Sequence, residues 1–151
     1  MIAVERTRSA PLLAGLHAAC FADGWTESSF ADLLSMPGST AWIATFESRP
    51  SGLLLLRQAA DEAEIITIGV LPQQRRTGLG GALLHDATGQ LQQCKALFLE
   101  VSETNAGARQ FYLDLGFAEA GRRKDYYADG SDALIMTARL PLSCGGAAPS
   151  L

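Results

Sequence analysis

The order of apolar and polar residues predicts that strands and helices alternate along the chain. Residues 2–7 alternate with a period of two, which is typical of a strand, and apolar residues in 10–21 recur at helical spacing. Short connections between the three strand-like runs that follow favour an antiparallel meander. The elements predicted for the first half are a strand over 2–7, a helix over 10–21, and strands over 40–47, 52–59 and 63–70, with a turn at 48–51.

A second helix is predicted after the loop that contains Trp25. Thr26 is a favourable N-cap residue, and Trp25 directly before it can pack on Phe30, as a hydrophobic staple. The helix is expected to run to about Ser35 and to stop at Met36-Pro37-Gly38.

The second half of the chain predicts one parallel pair of strands. Its elements are a helix over 78–93, a strand over 97–101, a helix over 104–115 ended by Gly116, and strands over 117–123 and 132–140. The strand over 97–101 must run parallel to the one before the first of these helices if both share a sheet. We therefore expect an α/β fold with a mostly antiparallel sheet of about seven strands and helices on both faces. A single domain over 1–142 and a flexible tail over 143–151 are predicted.

Composition and charge exclude several classes of protein. The chain has 151 residues, is 48% hydrophobic and 19% charged, and fits one globular domain. The net charge of −4 argues against a nucleic-acid binder held by bulk positive charge. No apolar run approaches the length of a membrane span, and the first residues lack the apolar centre of a signal peptide. We expect a cytoplasmic protein, a monomer or weak dimer, that binds neither nucleic acid nor membrane.

Cysteine and histidine content argues against a metal centre. Cys20, Cys94 and Cys144 are odd in number and far apart, which fits free thiols and not zinc spacing. His17 and His85 are the only histidines, and the sequence contains no GxSxG. We therefore expect neither a metal site nor a Ser-His-Asp hydrolase.

The segment Arg75–Gly81, RRTGLGG, joins an apolar strand to an apolar-periodic helix. Unpaired N–H groups and the positive end of the helix dipole suit a phosphate at such a helix start. A dinucleotide site is one interpretation, because Gly78-x-Gly80 could begin GxGxxG and Glu100 follows Gly80 by 20 residues. Two features argue against a dinucleotide site: Leu83 stands where GxGxxG has its third glycine, and a meander of strands precedes the loop.

Polar side chains after the next strand could also carry function. A carboxylate at Glu100 in the apolar run LFLEV is costly unless it is hydrated, paired or protonated. It is either a surface ion pair or a site residue, and the strand end beside the loop favours the site. Taken alone, Tyr112 fits the edge of the core and Asn105 fits a helix cap. Trp25 and Tyr126 could line a pocket or cover the core.

Three blocks of sequence resemble the GNAT N-acetyltransferases: VLPQQRRTGLGGALL, LFLEVSETNAGARQFYLDLGF and GRRKDYYADGSDALIM. Within that superfamily they are most similar to the ribosomal-protein-alanine N-acetyltransferases, the RimI family. The resemblance implies a GNAT-like fold and direct transfer of an acetyl group from acetyl-CoA to a free amine. The implied acceptor is a protein N-terminus, for example that of a ribosomal protein. The alternatives are an acceptor that is a small-molecule amine or a lysine side chain, or a protein that binds CoA without catalysis.

The resemblance also implies a role for individual residues. Glu100 would be the general base and Tyr112 the proton donor to the CoA thiolate, without an acyl-enzyme. Trp25 and Tyr126 would contact the acceptor. The implied cofactor-binding residues are Ile68, Gly69 and Val70 for the pantetheine arm, Arg75, Arg76, Thr77, Gly78, Leu79, Gly80 and Gly81 for the pyrophosphate, and Asn105.

Two positions depart from the pattern of this family. Ser102, followed by Glu103, stands where close relatives usually carry an arginine, and Gly24 stands where they commonly carry a proline. Both lie near the expected peptide entrance, so the resemblance does not determine which peptide sequence is the acceptor. The acidic Glu103 could suit a basic peptide.

Overall fold

Seven strands and four α-helices make up the part of the chain that the structure, a computed structural model, describes: residues 1–91 and 93–142. The strands are β1 (Ile2–Thr7), β2 (Ser39–Phe46), β3 (Arg49–Ala59), β4 (Glu62–Val70), β5 (Ala96–Ser102), β6 (Ala118–Arg123) and β7 (Ala133–Arg139). The helices are α1 (Ala10–Cys20), α2 (Glu27–Ser35), α3 (Leu79–Gly89) and α4 (Ala106–Asp114), and a short 3-10 turn spans Pro72–Gln74.

The strands form one mixed sheet in the order β1-β2-β3-β4-β5-β7-β6. β4 and β5 run parallel, whereas β1 with β2, β2 with β3, β5 with β7 and β6 with β7 are antiparallel. The parallel ladder consists of the pairs Glu62–Ala96, Ala63–Leu97 and Glu64–Phe98. It therefore involves only the first third of β4.

Successive residues of β2 face different helices. Ile43 packs in a cluster with Leu13 of α1 and Phe30 of α2. Trp42 points the other way, and its ring N–H donates to Oε1 of Gln90, directly after α3, at 3.3 Å. Because neighbouring residues of a strand face opposite sides, α1 and α2 cover one face and α3 the other. The predicted mixed sheet with helices on both faces is confirmed.

The hairpin between β2 and β3 turns earlier than the predicted turn at 48–51. Glu47 and Ser48 form its tip, with φ angles of 51° and 67°. Two successive positive φ angles suit the right-handed twist of the flanking strands. Pro50 therefore lies inside β3, opposite Thr45 at a register shift. A proline is tolerated there because the irregular ladder does not need its missing N–H.

Two helices end earlier than predicted. α1 ends at Cys20, and the N–H of Phe21 closes its last turn by donating to the carbonyl of His17. α3 ends at Gly89, with Gln90 as its C-cap, whereas its apolar spacing predicted a helix to residue 93. Glycine costs a helix about 1 kcal/mol relative to alanine, so Gly89 is a natural end point.

The described residues divide into two compact units. The first contains Met1–Ala59 and Ile65–Leu91, and the second contains Ala60–Glu64 and the described residues from 93 onward. The single domain over 1–142 stays a prediction, and the predicted tail over 143–151 lies outside the described residues. In the ranges that the structure describes, no helix is long and apolar enough to cross a bilayer.

Candidate active site

The residues assigned to the pantetheine arm, Ile68, Gly69 and Val70, form the end of β4. Gly69 is buried, and a Cβ added to it would lie 2.9 Å from Cε2 of Phe21 and 3.1 Å from Cβ of Cys20. The close approach at Gly69 is thus made by the end of α1, within the same unit. A larger residue at position 69 would have to displace Phe21 and Cys20, a constraint separate from the cofactor contact that the resemblance implies for Gly69.

The glycine-containing loop opens into the N-terminus of α3. Gly78 is the N-cap of α3 with φ 88°, and no side chain of the described residues caps the helix. A Cβ added to Gly78 or Gly81 would meet nothing within 4 Å, so the space around the helix start is open. The hydroxyl of Thr77 donates to the carbonyl of Gln74 at 2.6 Å and fixes the turn before it. Unpaired N–H groups and open space together allow an anion to bind here.

The side chain of Arg75 ties the loop to its surroundings. Its Nε donates to the carbonyl oxygen of Val70 at 3.2 Å, and its Nη2 donates to that of Cys20 at 3.3 Å. The next residue, Arg76, has a positive φ of 65° and an exposed side chain. The guanidinium of Arg75 therefore holds the loop against β4 and the end of α1.

Trp25 lies against α1 and α2 and is 36% exposed. Its ring stacks on His17 at a centroid distance of 4.6 Å and contacts Phe30 at 5.6 Å, so the predicted staple is confirmed. Its backbone N–H donates to Nδ1 of His17 at 3.1 Å, and burial lowers the pKa of this histidine. Thr26 caps α2 as predicted, accepting the N–H of Ser29. His17 itself is buried.

Gly24, next to Trp25, packs directly on α1. A Cβ added to it would lie 2.7 Å from Cα of Ala18, a distance that real side chains do not adopt. Because the close atom belongs to the backbone, the contact cannot relax by rotation of a side chain. In this chain, position 24 therefore has no room for a side chain.

In the second unit, Glu100 lies on β5 between buried apolar residues. Leu97, Leu99 and Val101 are buried and Glu100 lies on the other face, as the period of two of a strand requires. The side chain of Glu100 is 25% exposed, and its Oε2 lies 2.7 Å from Nε of Arg123, the last residue of β6. The carboxylate is thus ion-paired and partly accessible, and its role as a site residue stays a prediction.

Tyr112 lies in the last turn of α4 and is buried. Its ring packs against Phe111 and Phe117 at centroid distances of 5.2 and 5.4 Å. Burial raises the pKa of Tyr112 to about 12, because the phenolate would lose its hydration. The phenol therefore keeps its proton at neutral pH. Gly116 follows with φ 95° and ends the helix as predicted.

Asn105 is the N-cap of α4. Its Oδ1 accepts the N–H of Ala108 at 3.1 Å, and its own N–H donates to the carbonyl of Ser102 at 3.0 Å. The cap predicted from the sequence is confirmed. The cap uses only the oxygen of the side-chain amide, so its NH₂ group can still serve the cofactor role implied by the resemblance.

Tyr126 is 50% exposed in the loop between β6 and β7. The guanidinium carbon of Arg123 lies 5.4 Å from the centre of its ring, and Tyr127 packs edge-on at 5.1 Å. The pKa of Tyr127 is raised, mainly by burial and further by the negative charge of Glu100. Glu100, Arg123 and the two tyrosines therefore form one cluster in the second unit.

The sequence did not predict Arg123 as a member of this cluster. The available signal was the period of two in β6, since adjacent residues of a strand face opposite sides. Either Arg122 or Arg123 had to face the side of the sheet that carries Glu100. Choosing between them required the pairing register of β5, β6 and β7, which the sequence alone does not supply.

No group of three histidine, cysteine, aspartate or glutamate side chains in the described residues could hold a metal ion.

Comparison with known proteins identifies the family. Residues 11–117 match the sequence profile of the Acetyltransferase (GNAT) family. The ribosomal protein bS18-alanine N-acetyltransferase of Escherichia coli is 36% identical over 126 residues, covering 79% of this chain and 82% of that protein. The N-alpha-acetyltransferase of Sulfurisphaera tokodaii is 38% identical over 93 residues, 60% of this chain and 56% of that protein.

Solved structures agree with this result. The crystal structure of the ribosomal-protein-alanine N-acetyltransferase from Escherichia coli has a TM-score of 0.83 and 30% identity, and covers 95% of this chain and 96% of that chain. More distant proteins of the same fold, 16% and 18% identical, have been solved with acetyl-CoA or CoA bound. The dinucleotide-binding interpretation of the glycine loop is therefore wrong. The chain belongs to the GNAT family of acetyltransferases.

Proposed function

We propose that the protein transfers the acetyl group of acetyl-CoA to the N-terminal α-amino group of a protein. The observation that carries this proposal is the similarity, over about four fifths of the chain, to an enzyme named as a ribosomal protein bS18-alanine N-acetyltransferase. A ribosomal protein is the proposed acceptor, which would place the reaction in the cytoplasm.

The start of α3 is the proposed pyrophosphate site. The N–H groups of Leu79, Gly80 and Gly81 lie in the first turn, where no intrahelical partner exists, and the dipole favours negative charge. The open space at Gly78 and Gly81 supports this assignment. Asn105 is proposed as a further cofactor contact.

The end of β4 is the proposed partner of the pantetheine arm. The ladder between β4 and β5 stops at Glu64, and Ile68, Gly69 and Val70 continue beyond it. Backbone groups past the end of a ladder can pair with an extended ligand as they would with a strand. The N–H of Val70 is proposed to polarise the thioester carbonyl, whose oxygen gains negative charge during attack.

Glu100 is the proposed general base. An α-ammonium group has a pKa near ~8, so a modest base acting through water is sufficient to free the amine. The amine then attacks the thioester directly. Burial raises the thiol pKa of both Cys20 and Cys94, so these groups stay protonated and are poor nucleophiles for an acyl-enzyme.

Tyr112 is the proposed proton donor to the departing thiolate. Its pKa of about 12 keeps the hydroxyl protonated. A thiol with a pKa of ~8.5 is the stronger acid, so full transfer from this tyrosine is uphill by roughly 5 kcal/mol in the free enzyme. A hydrogen bond to the developing thiolate is therefore the larger part of the contribution of Tyr112.

Trp25, 36% exposed in the loop before α2, is a proposed acceptor contact, and so is Tyr126, 50% exposed in the loop between β6 and β7. A matched pair of peptides tests the function: both contain an internal lysine, and one has a free N-terminal alanine while the other is blocked at its N-terminus. After incubation with acetyl-CoA, fragmentation mass spectrometry should find one new acetyl group, on the α-amine of the free peptide only. Acetylated lysine in both peptides, or acetylation of small amines but no peptide, would contradict the proposal.

A further inference from the structure

Glu100 and Arg123 face the same side of the sheet across β7. Glu100 is paired with Ile135 and Arg123 with Ala133, and these two β7 residues are two positions apart. Residues i and i+2 of a strand share a face, and directly paired residues share it with them. The register thus places the two side chains diagonally across one strand, within reach of the long arginine side chain.

The ion pair uses only part of the carboxylate. Oε2 of Glu100 lies 2.7 Å from Nε of Arg123, while Oε1 makes no ion pair or hydrogen bond with any residue in the described ranges. One oxygen is therefore fixed and the other is left for a water molecule or an incoming group. A carboxylate without such a partner rotates about its last bond, and its two oxygens exchange places.

Arg123 is itself held from a second side. Its guanidinium lies over the ring of Tyr126, which packs edge-on against Tyr127. The loop that carries both tyrosines is closed by backbone bonds: the N–H of Tyr127 donates to the carbonyl of Ser131, and the N–H of Gly130 donates to that of Tyr127. The loop thus limits the movement of the Arg123 side chain, and Arg123 in turn limits the rotation of the Glu100 carboxylate.

We propose that Arg123 is a positioning residue that holds one oxygen of Glu100 so that the other oxygen is presented to the acceptor amine. This inference rests on the proposed function, in which Glu100 is the base. A base must stay within hydrogen-bonding reach of the proton that it removes, and a displacement of about 1 Å can cost up to 100-fold in rate. Arg123 acts through Glu100 and makes no contribution of its own to the transfer.

Arg122 provides a matched control on the neighbouring position of the same strand. It is paired with Leu134, so its side chain lies on the opposite face. There it forms ion pairs with Glu103 at 3.3 Å and Asp132 at 2.8 Å. Substitution of Arg122 therefore removes an arginine from β6 without touching the carboxylate of Glu100.

The test is a double-mutant cycle on kcat for acetylation of a peptide with a free N-terminal alanine. Arg123→Gln should lower kcat about tenfold and leave the acetyl-CoA Kd unchanged, and in a Glu100→Gln background it should change kcat less than about twofold. Arg123→Lys, which keeps a cation, should recover part of the loss. Arg122→Gln should lower the melting temperature, and any effect it has on kcat should be the same in both backgrounds.

The outcomes separate the two proposals. One outcome is that the wild-type enzyme acetylates the peptide while the effects of Arg123→Gln and Glu100→Gln on kcat multiply. In that case Arg123 acts independently of Glu100, so the inference is overturned and the proposed function stands. If the wild type acetylates no peptide or amine, the proposed function fails, and the inference fails with it. Should Arg123→Gln not fold, Arg123→Lys is carried through the same cycle, and multiplying effects again overturn the inference.

Discussion

Glu103 and Asp132 are joined by two reciprocal hydrogen bonds. The N–H of Asp132 donates to Oε2 of Glu103 at 2.7 Å, and the N–H of Glu103 donates to the carbonyl of Asp132 at 3.0 Å. Arg122 forms ion pairs with both carboxylates. The carboxylate of Glu103, which the sequence suggested as a selector of basic peptides, is therefore engaged within the fold, where Arg122 shares its one positive charge among Glu103, Asp132 and Glu119.

Glu103→Ala is expected to destabilise the protein without changing its preference among acceptors. The substitution leaves the N–H of Asp132 without its acceptor, at a cost of about 1–3 kcal/mol. Thermal unfolding should show the loss, and Glu103→Gln should lose less, since its amide oxygen can still accept. A selective loss of activity on basic peptides at an unchanged melting temperature would instead support the role in acceptor choice.

Two glycine substitutions of the same kind should have opposite effects. Gly24→Ala places a methyl group 2.7 Å from Cα of Ala18 and should lower the melting temperature. Gly15→Ala, inside α1, meets nothing within 4 Å and should raise stability by about 0.4–1 kcal/mol, because alanine favours a helix and restricts the unfolded chain. Unfolding in denaturant measures both. Equal effects of the two variants would show that Gly24 is not constrained by α1.

Stability should fall as the pH drops below about 6.5, through His17. Burial lowers the pKa of this histidine, and its Nδ1 can accept the N–H of Trp25 only when unprotonated. The unfolded chain binds the proton first, so the stabilisation is present above the unfolded pKa of ~6.5 and is lost below it. His17→Asn, which can accept but does not titrate, should show a smaller fall in melting temperature between pH 7 and pH 5. An identical fall in both proteins would assign the pH dependence to other groups.

Alkaline pH should destabilise the protein through Tyr112. The unfolded tyrosine ionises near pH ~10, whereas the folded one keeps its proton to about 12. The native state therefore binds more protons in this window, and stability falls as the pH rises, by at most about 3 kcal/mol. Tyr112→Phe should remove this part of the pH dependence and also lower kcat. A variant with full turnover would contradict the role of the hydroxyl in transfer.

The periodic elements and the local signals were predictable from the sequence. Three of these signals depend on residues close together in the chain: the cap at Thr26, the contact of Trp25 with Phe30, and the face of β5 on which Glu100 lies. The pairs Glu100–Arg123 and Glu103–Asp132 depend on register between strands, which turn geometry and long-range packing set. The close contact of Gly69 with Phe21 was unpredictable for the same reason, because it joins two elements about 50 residues apart.

The central claim is that Glu100 removes the proton from the acceptor amine. The most direct measurement compares kcat and the acetyl-CoA dissociation constant of wild type and Glu100→Gln, with a peptide that bears a free N-terminal alanine. We expect kcat to fall by about 100-fold or more while the dissociation constant changes less than about twofold, since general base catalysis contributes of this order. Full turnover by Glu100→Gln, or a loss confined to acetyl-CoA binding, would contradict the account.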